Sequence, residues 1–210
     1  MNTEKRDFDK EAAAWDENPV RVKLVKDVSQ AISRQIALSP DMEVLDFGCG
    51  TGLLSLQIQP RVRSVTGVDS SPGMLAQFDR KIAELGLRQV KTVLLDLDQG
   101  HPLPGRYDLI ISNMTLHHIQ RVEPLLAQFY NVLRPGGHLC LSDLDPEEGR
   151  FHGDNTGVFH FGFERAALRK AFSAAGFADV AATDAAEVVK PGADGKMNRF
   201  GVFLMTGRRR

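Results

Sequence analysis

The run Asp46-Phe47-Gly48-Cys49-Gly50-Thr51-Gly52 sets three glycines two residues apart behind an acid. Glycine lets a main chain turn tightly and approach a ligand closely, and the start of a following helix presents unpaired N–H groups. Asp69 stands 21 residues after Gly48 (69 − 48). An acid in that position can accept both hydroxyls of a ribose and repels a 2′-phosphate. A dinucleotide fingerprint carries its third glycine three residues past the second; here Gly52 follows Gly50 by two (52 − 50). The loop therefore suits an adenosine with a free ribose diol and lacks the spacing directed at a pyrophosphate.

Three histidines offer acid–base chemistry. His117 and His118 follow an apolar run, and His160 sits in Val158-Phe159-His160-Phe161-Gly162-Phe163. Aromatic side chains there, Phe159 among them, can hold a planar acceptor or shield a cation against a ring face. That makes His160 the first candidate for a general base, ahead of His117 and His118. The plain alternative is a Phe-x-Phe-x-Phe alternation facing a core, with His160 pointing to solvent. Asp143, Asp145, His152 and Asp154 are ligand types whose gaps suit Zn²⁺ or Mg²⁺. Acids in Asp145-Pro146-Glu147-Glu148-Gly149 are usual for a solvated loop, however, so no metal is expected.

The elements that must position these groups can be read from periodicity. Asn18 before Pro19 reads as an N-cap followed by proline at the first helical position. Val22, Val25, Val28, Ile32 and Ile36 make an amphipathic stripe, and Asn2 to Ala37 is read as helical, stopped by Ser39-Pro40. Strands are expected at Glu43–Phe47, Ser64–Val68, Val90–Leu95, Tyr107–Ser112 and His138–Asp143. Helices are expected at Leu53–Gln59, Pro72–Leu85, Val122–Leu133 and Glu164–Ala174, with Arg134-Pro135-Gly136-Gly137 as a sharp turn. Apolar strands alternating with helices imply a parallel sheet covered on both faces. Two last strands, Ala178–Val189 and Phe200–Thr206, are joined by Pro191-Gly192-Ala193-Asp194-Gly195, too short for a parallel crossover. The expected fold is α/β: a doubly wound, mostly parallel, seven-stranded Rossmann-like sheet ending in an antiparallel hairpin, with helices on both faces.

Composition bounds the function classes. The chain has 210 residues, 42% hydrophobic and 25% charged, with 26 basic against 27 acidic side chains. These totals exclude disorder, collagen and a disulfide scaffold. Balanced charge gives no large footprint for nucleic acid, and no run approaches the roughly 20 apolar residues of a membrane helix. The charged stretch Met1 to Lys10 is no secretory signal. Two cysteines, Cys49 and Cys140, read as reduced thiols in a cytoplasmic protein.

With these residues in place, the chain resembles the class I S-adenosylmethionine-dependent methyltransferases. Val44 to Gly52 looks like their first motif, and Val68-Asp69-Ser70-Ser71-Pro72-Gly73-Met74-Leu75 like the second, whose acid binds ribose. Leu95-Asp96-Leu97 resembles the third, in which the acid bonds the adenine amino group and its neighbour packs the ring. Tyr107 to Asn113 with Leu116-His117-His118 resembles the fourth, and Leu133 to Leu139 the turn into strand five. The resemblance covers roughly residues 40 to 145 and implies S-adenosyl-L-methionine as cofactor. It places cofactor contacts at Asp46, Gly48, Cys49, Gly50 and Gly52, at Asp69, Ser70 and Met74, at Asp96 and Leu97, and at Asn113 and Met114.

The branch most similar is the small-molecule one that includes quinone-biosynthesis C-methyltransferases, whose members carry a helical lid; here residues 1–38, with Trp15, would be that lid. Residues 40–145 would bind cofactor, and 146–210 would face a planar or apolar small-molecule acceptor. Asn113 is followed by Met114-Thr115 in place of the Pro-Pro-aromatic run of methyltransferases acting on bases or glutamine amides, which lowers nucleic-acid and protein methylation. Two rivals remain at this stage. A nicotinamide-dependent oxidoreductase is disfavoured by the glycine spacing and by the lack of a Tyr-x-x-x-Lys pair. A non-catalytic adenosyl-ligand-binding protein would need the same residues.

Overall fold

The computed structural model describes residues 6–96, 101–192 and 196–210. The apolar runs form β1 (Glu43–Phe47), β2 (Ser64–Asp69), β3 (Val90–Leu94), β4 (Tyr107–Asn113), β5 (Leu133–Leu144), β6 (Ala178–Pro191) and β7 (Met197–Arg208). They make one sheet in the order β3-β2-β1-β4-β5-β7-β6. The first five pair in parallel, and β7 runs antiparallel between β5 and β6. This is the expected doubly wound sheet with its terminal hairpin. Helices α1 (Pro19–Gln35), α2 (Leu53–Ile58), α3 (Pro72–Glu84), α4 (Val122–Val132) and α5 (Arg165–Ala174) cover it.

Successive strand residues face opposite ways, so each strand serves two cores. Val44, Val65, Leu109 and Ile111 share one with Val28 and Ile32 of α1, Ile58 of α2 and Phe78 of α3. Leu45, Ile110, Leu139 and Phe203 share the other with Leu126 and Phe129 of α4 and Phe172 of α5. Each such side chain contributes about 1.5–3 kcal/mol on burial, which fixes the sheet as a rigid floor. No helix among the described residues is long and apolar enough to cross a membrane.

Three expectations need correction. The single helix over Asn2–Ala37 is divided: Phe8–Lys10 and Ala12–Glu17 are short 3₁₀ turns, and α1 begins only at Pro19. Asn18 is the reason. Its carboxamide oxygen accepts the Val20 N–H at 2.9 Å while its own backbone is extended (φ −80°, ψ 108°), and an N-cap residue cannot sit inside a helix. The Arg134–Gly137 turn does not precede β5 but loops out of it, since Tyr107 pairs with Leu133 and Leu109 with His138. The hairpin strands extend further than read, to a Pro191–Met197 pair; of the turn between them, Ala193, Asp194 and Gly195 lie outside the described residues.

Strand order reverses between β1 and β4. Their C-terminal ends diverge into a crevice of the kind in which open α/β sheets bind ligands. The loops after β1, β2 and β4 line it, and the 3₁₀ turns ahead of α1 close over it.

Candidate functional site

The crevice is a cavity of about 550 Å³, within the roughly 300–1,000 Å³ of small-molecule sites. Asp46, Gly48, Cys49, Gly50, Asp69, Ser70, Met74, Asp96, Asn113 and Met114 all line it, as do Trp15, Phe159, His117 and His118. Leu97 lies outside the described residues. Two expected residues are elsewhere. Gly52 is absent from the lining; its φ of +82° and the Phe78 ring, 2.2 Å from where a Cβ would stand, make it the hinge on which the loop turns. His160 is likewise absent from the lining.

The loop is held from within. The N–H groups of Gly48 and Cys49 donate to the Val68 carbonyl at 2.8 and 3.1 Å, and that of Gly52 to the Cys49 carbonyl at 2.9 Å. The Gly50 N–H donates to Asp69 Oδ2 at 2.8 Å. These four loop donors are thus spent inside the protein. What the loop offers a ligand is clearance: a Cβ on Gly50 would meet nothing nearer than the Met74 sulfur at 4.0 Å. Asp69 Oδ1 also accepts the Ser71 N–H, at 2.9 Å. Each carboxylate oxygen keeps a lone pair, enough for a diol. Burial pushes Asp69 above its ordinary value against the pull of these main-chain donors.

Asp46 is buried, accepts the Ser55 hydroxyl at 2.6 Å, and is pushed up to about 7 by burial. Met114, a non-glycine residue at φ +55°, is the kind of backbone strain that concentrates at functional sites. Its N–H is anchored on the Ser142 carbonyl at 2.9 Å.

The segment before α1 is latched by two carboxylates. Asp9 accepts the Gly73 N–H at 2.7 Å and the Ser71 hydroxyl, at the start of α3. Asp16 accepts the Thr51 hydroxyl at 2.5 Å and Lys81 Nζ at 2.6 Å. Trp15 is thereby held over the cavity, with the Arg21 guanidinium 3.6 Å from its ring centre. Asp16→Ala removes one latch. With Asp16 about one-third exposed, the expected loss is about 1 kcal/mol, or about fivefold in the opening equilibrium. Trp15 is the only tryptophan, so its fluorescence and quencher access report the change directly.

His152, weighed from sequence only beside Asp143, Asp145 and Asp154 as a metal ligand, instead joins His117 and His118. One nitrogen from each of the three rings lies within 4.8 Å of the others. His117 Nδ1 is 2.8 Å from Asp143 Oδ1, and its backbone N–H donates to Asp143 Oδ2 at 3.2 Å. Burial alone would push Asp143 up, but the His117 contacts and the Leu144 N–H hold it below its ordinary value. An ionised Asp143 accepts from Nδ1, so a neutral His117 ring carries its lone pair on Nε2, which is buried with no partner among the described residues.

His118 Nδ1 donates to the Gly157 carbonyl at 2.7 Å. His152 has the opposite tautomer, because the Arg6 guanidinium, a donor only, lies 3.3 Å from its Nδ1; its buried, unpartnered Nε2 therefore carries the hydrogen. Burial first, and neighbouring imidazoles and Arg6 next, lower His118 to about 4 and His152 to about 3.

The cluster has the ligand types for a transition metal, but a ligating His152 Nε2 would have to give up its hydrogen and shed Arg6. The four residues weighed for a metal from sequence do not assemble. Asp145 is paired with Arg165 at 2.7 Å, and Asp154 is exposed and holds the Thr156 N–H at 2.9 Å. His160 needs a correction as base candidate: its Nε2 donates to the Ile119 carbonyl at 2.9 Å, and its ring lies on Phe163, centres 5.0 Å apart. Of the neighbours Phe159 and His160 it is Phe159 that lines the cavity.

These shifts give stability a pH dependence with two signs. His118 and His152 have folded values below the unfolded one near 6.5, so the stability they contribute is present above that pH. It is lost as pH falls toward about 4 and about 3. Asp46 is raised, so its contribution is present below its unfolded value near 3.9 and lost as pH rises through about 7. Thermal melts from pH 4 to 8 are expected to lose their acid limb in His118→Gln/His152→Gln and their neutral-side slope in Asp46→Asn.

A family model described as Methyltransferase domain matches residues 21–182. Trans-aconitate 2-methyltransferase of Deinococcus radiodurans is 34% identical over 130 residues, 59% of this chain and 48% of that protein. The chain spans about half the length of the curated relatives it matches. A SAM dependent methyltransferase from Aquifex aeolicus superposes with a TM-score of 0.66 over 94% of this chain and 97% of its own, at 22% identity. Phosphoethanolamine N-methyltransferase 2 of Haemonchus contortus, in complex with S-adenosyl-L-methionine, gives 0.69 over 86% and 52% at 15% identity. At these identities the two structures share the fold.

Proposed function

The chain belongs to the methyltransferase domain family, and from that premise we propose that it transfers a methyl group from S-adenosyl-L-methionine to a small-molecule acceptor by in-line displacement. The observation that supports this reading is the pairing, in one cavity, of the Asp69 carboxylate beside an open glycine with a buried imidazole nitrogen, His117 Nε2, unpartnered among the described residues. Asp69 would hold the ribose hydroxyls and Asp96 the adenine amino group, while Gly50 leaves room for the amino-acid half. When bound, the cofactor supplies an electrophilic methyl on a sulfonium, whose carbon–sulfur bond breaks with its electron pair going to sulfur.

The chain's own contribution is alignment and proton handling. Positioning alone can supply about 7–11 kcal/mol of a barrier, and Trp15, Phe8 and their latches exclude water while it acts. His117 would take the acceptor's proton on Nε2 as the new bond forms, with Asp143 holding the ring in the required tautomer. Asp143 is a positioning residue in this scheme. The buried, unpaired Cys49 and Cys140 support a reducing compartment, the cytoplasm. The test is incubation with methyl-labelled cofactor and fractionated cell extract. Label appearing in a small metabolite, with release of S-adenosylhomocysteine, is expected; cofactor binding with no labelled product from any fraction would overturn transfer.

A further inference from the structure

Charge in the cavity is sorted. The acids Asp46, Asp69 and Asp96 come from the ends of β1 and β2 and the segment after β3. Three cations line it as well: Arg6, Arg21 and Lys190. These form a chain of contacts around His152. Arg6 meets His152 Nδ1, Arg6 and Arg21 share Glu11 at 2.6 and 3.2 Å, and Lys190 Nζ lies 3.8 Å from the centre of the Phe151 ring, which stands edge-on to His152. Two carboxylates among the described residues face the group, Glu11 and the buried Glu147; burial lowers Lys190 below its ordinary value, Glu147 works against that, and Arg21 and Arg6 add to it. Among the described residues one positive charge remains over. Arg6 precedes the 3₁₀ turns, Arg21 stands in the first turn of α1 and Lys190 at the far end of β6, so residues distant in sequence are assembled by the fold.

Partly buried cations kept next to a neutral imidazole cost desolvation unless a ligand uses them. Resting on the methyl-transfer reading, we propose that the acceptor is a small carboxylate, its anionic group held by Lys190 and Arg21. This parts from the planar or apolar acceptor expected from the aromatic run. The carboxylate is an anchor here: it places the acceptor's nucleophilic atom between the sulfonium and His117 Nε2, and it counters the cationic lining.

The experiment is calorimetric titration of the full chain, with and without saturating S-adenosylhomocysteine, using succinate, citrate and phenylacetate, their amides, and inorganic phosphate. At least one carboxylate is expected to bind and its amide not, with affinity falling as chloride rises. Lys190→Met should weaken that carboxylate by tenfold or more and Lys190→Arg restore most of it, while the S-adenosylhomocysteine affinity and melting temperature stay put. Amides binding as well as carboxylates, phosphate binding where no carboxylate does, no binding by any carboxylate, or an indifferent Lys190→Met would each overturn the proposal. Failure of S-adenosylhomocysteine to bind would instead strike the methyl-transfer reading, since the carboxylate titrations are also read without it.

Discussion

His117→Gln is expected to lower turnover by about 100- to 10,000-fold, the usual contribution of a positioned general base. Glutamine keeps a polar group toward Asp143, so the buried carboxylate is not stranded and the fold should survive; melting temperature and S-adenosylhomocysteine affinity check that. A purely structural role would also lower turnover, so the pH profile decides. Loss of a base removes the acid limb of the rate profile, whereas a packing defect rescales it. Asp143→Asn sharpens the point. Its carboxamide can present a donor to Nδ1, which puts the His117 hydrogen on Nε2 and removes the lone pair with little change of shape. Both variants retaining full turnover with any acceptor would take His117 out of the chemistry.

Asp69→Ala comes second in expected effect. A hydrogen bond to a charged group is worth about 1.5–3 kcal/mol, so losing even one from the ribose costs about 10- to 150-fold in cofactor affinity. Part of the loss is indirect, since Asp69 also holds the Gly50 and Ser71 N–H groups and alanine leaves both unpaired. Asp69→Asn separates the contributions: its one oxygen can keep a main-chain donor while the charge is lost, so an intermediate affinity is expected. Wild-type affinity in both variants would mean that the ribose is bound elsewhere.

Local features made the sheet and one half of the site legible in sequence. Apolar runs such as Val44-Leu45 and Leu109-Ile110-Ile111 are strands because both faces are buried. Asn18 and Ser71 each precede proline and cap the helices expected there. The glycine loop and Asp69 are set by strand ends close in sequence, and their contact follows from β1 pairing with β2.

The other half of the cavity is legible only in part, through Trp15, His117, His118 and Phe159. His152 meets His117 only because the irregular segment after β5 folds back under the lid, and no periodicity encodes that path. Lys190 lies one residue past the strand read at Ala178–Val189, and only the placement of β6 at the sheet edge beside β7 brings it to the cavity. The choice of His160 rested on its aromatic neighbours. Backbone direction decides otherwise, since the Phe159 and His160 N–H groups both donate to the His117 carbonyl, at 2.9 and 3.3 Å, and leave Phe159 as the one lining the cavity. The metal alternative failed for a related reason: Asp145 and Asp154 have nearer partners than any shared ion.

The most direct measurement is calorimetric titration of the full chain with S-adenosylhomocysteine and, separately, with NAD. Saturable one-to-one binding of the sulfur nucleoside, weakened in Asp69→Ala, with no response to NAD, is the predicted result. Binding of NAD and silence toward the sulfur nucleoside would contradict the account at its root.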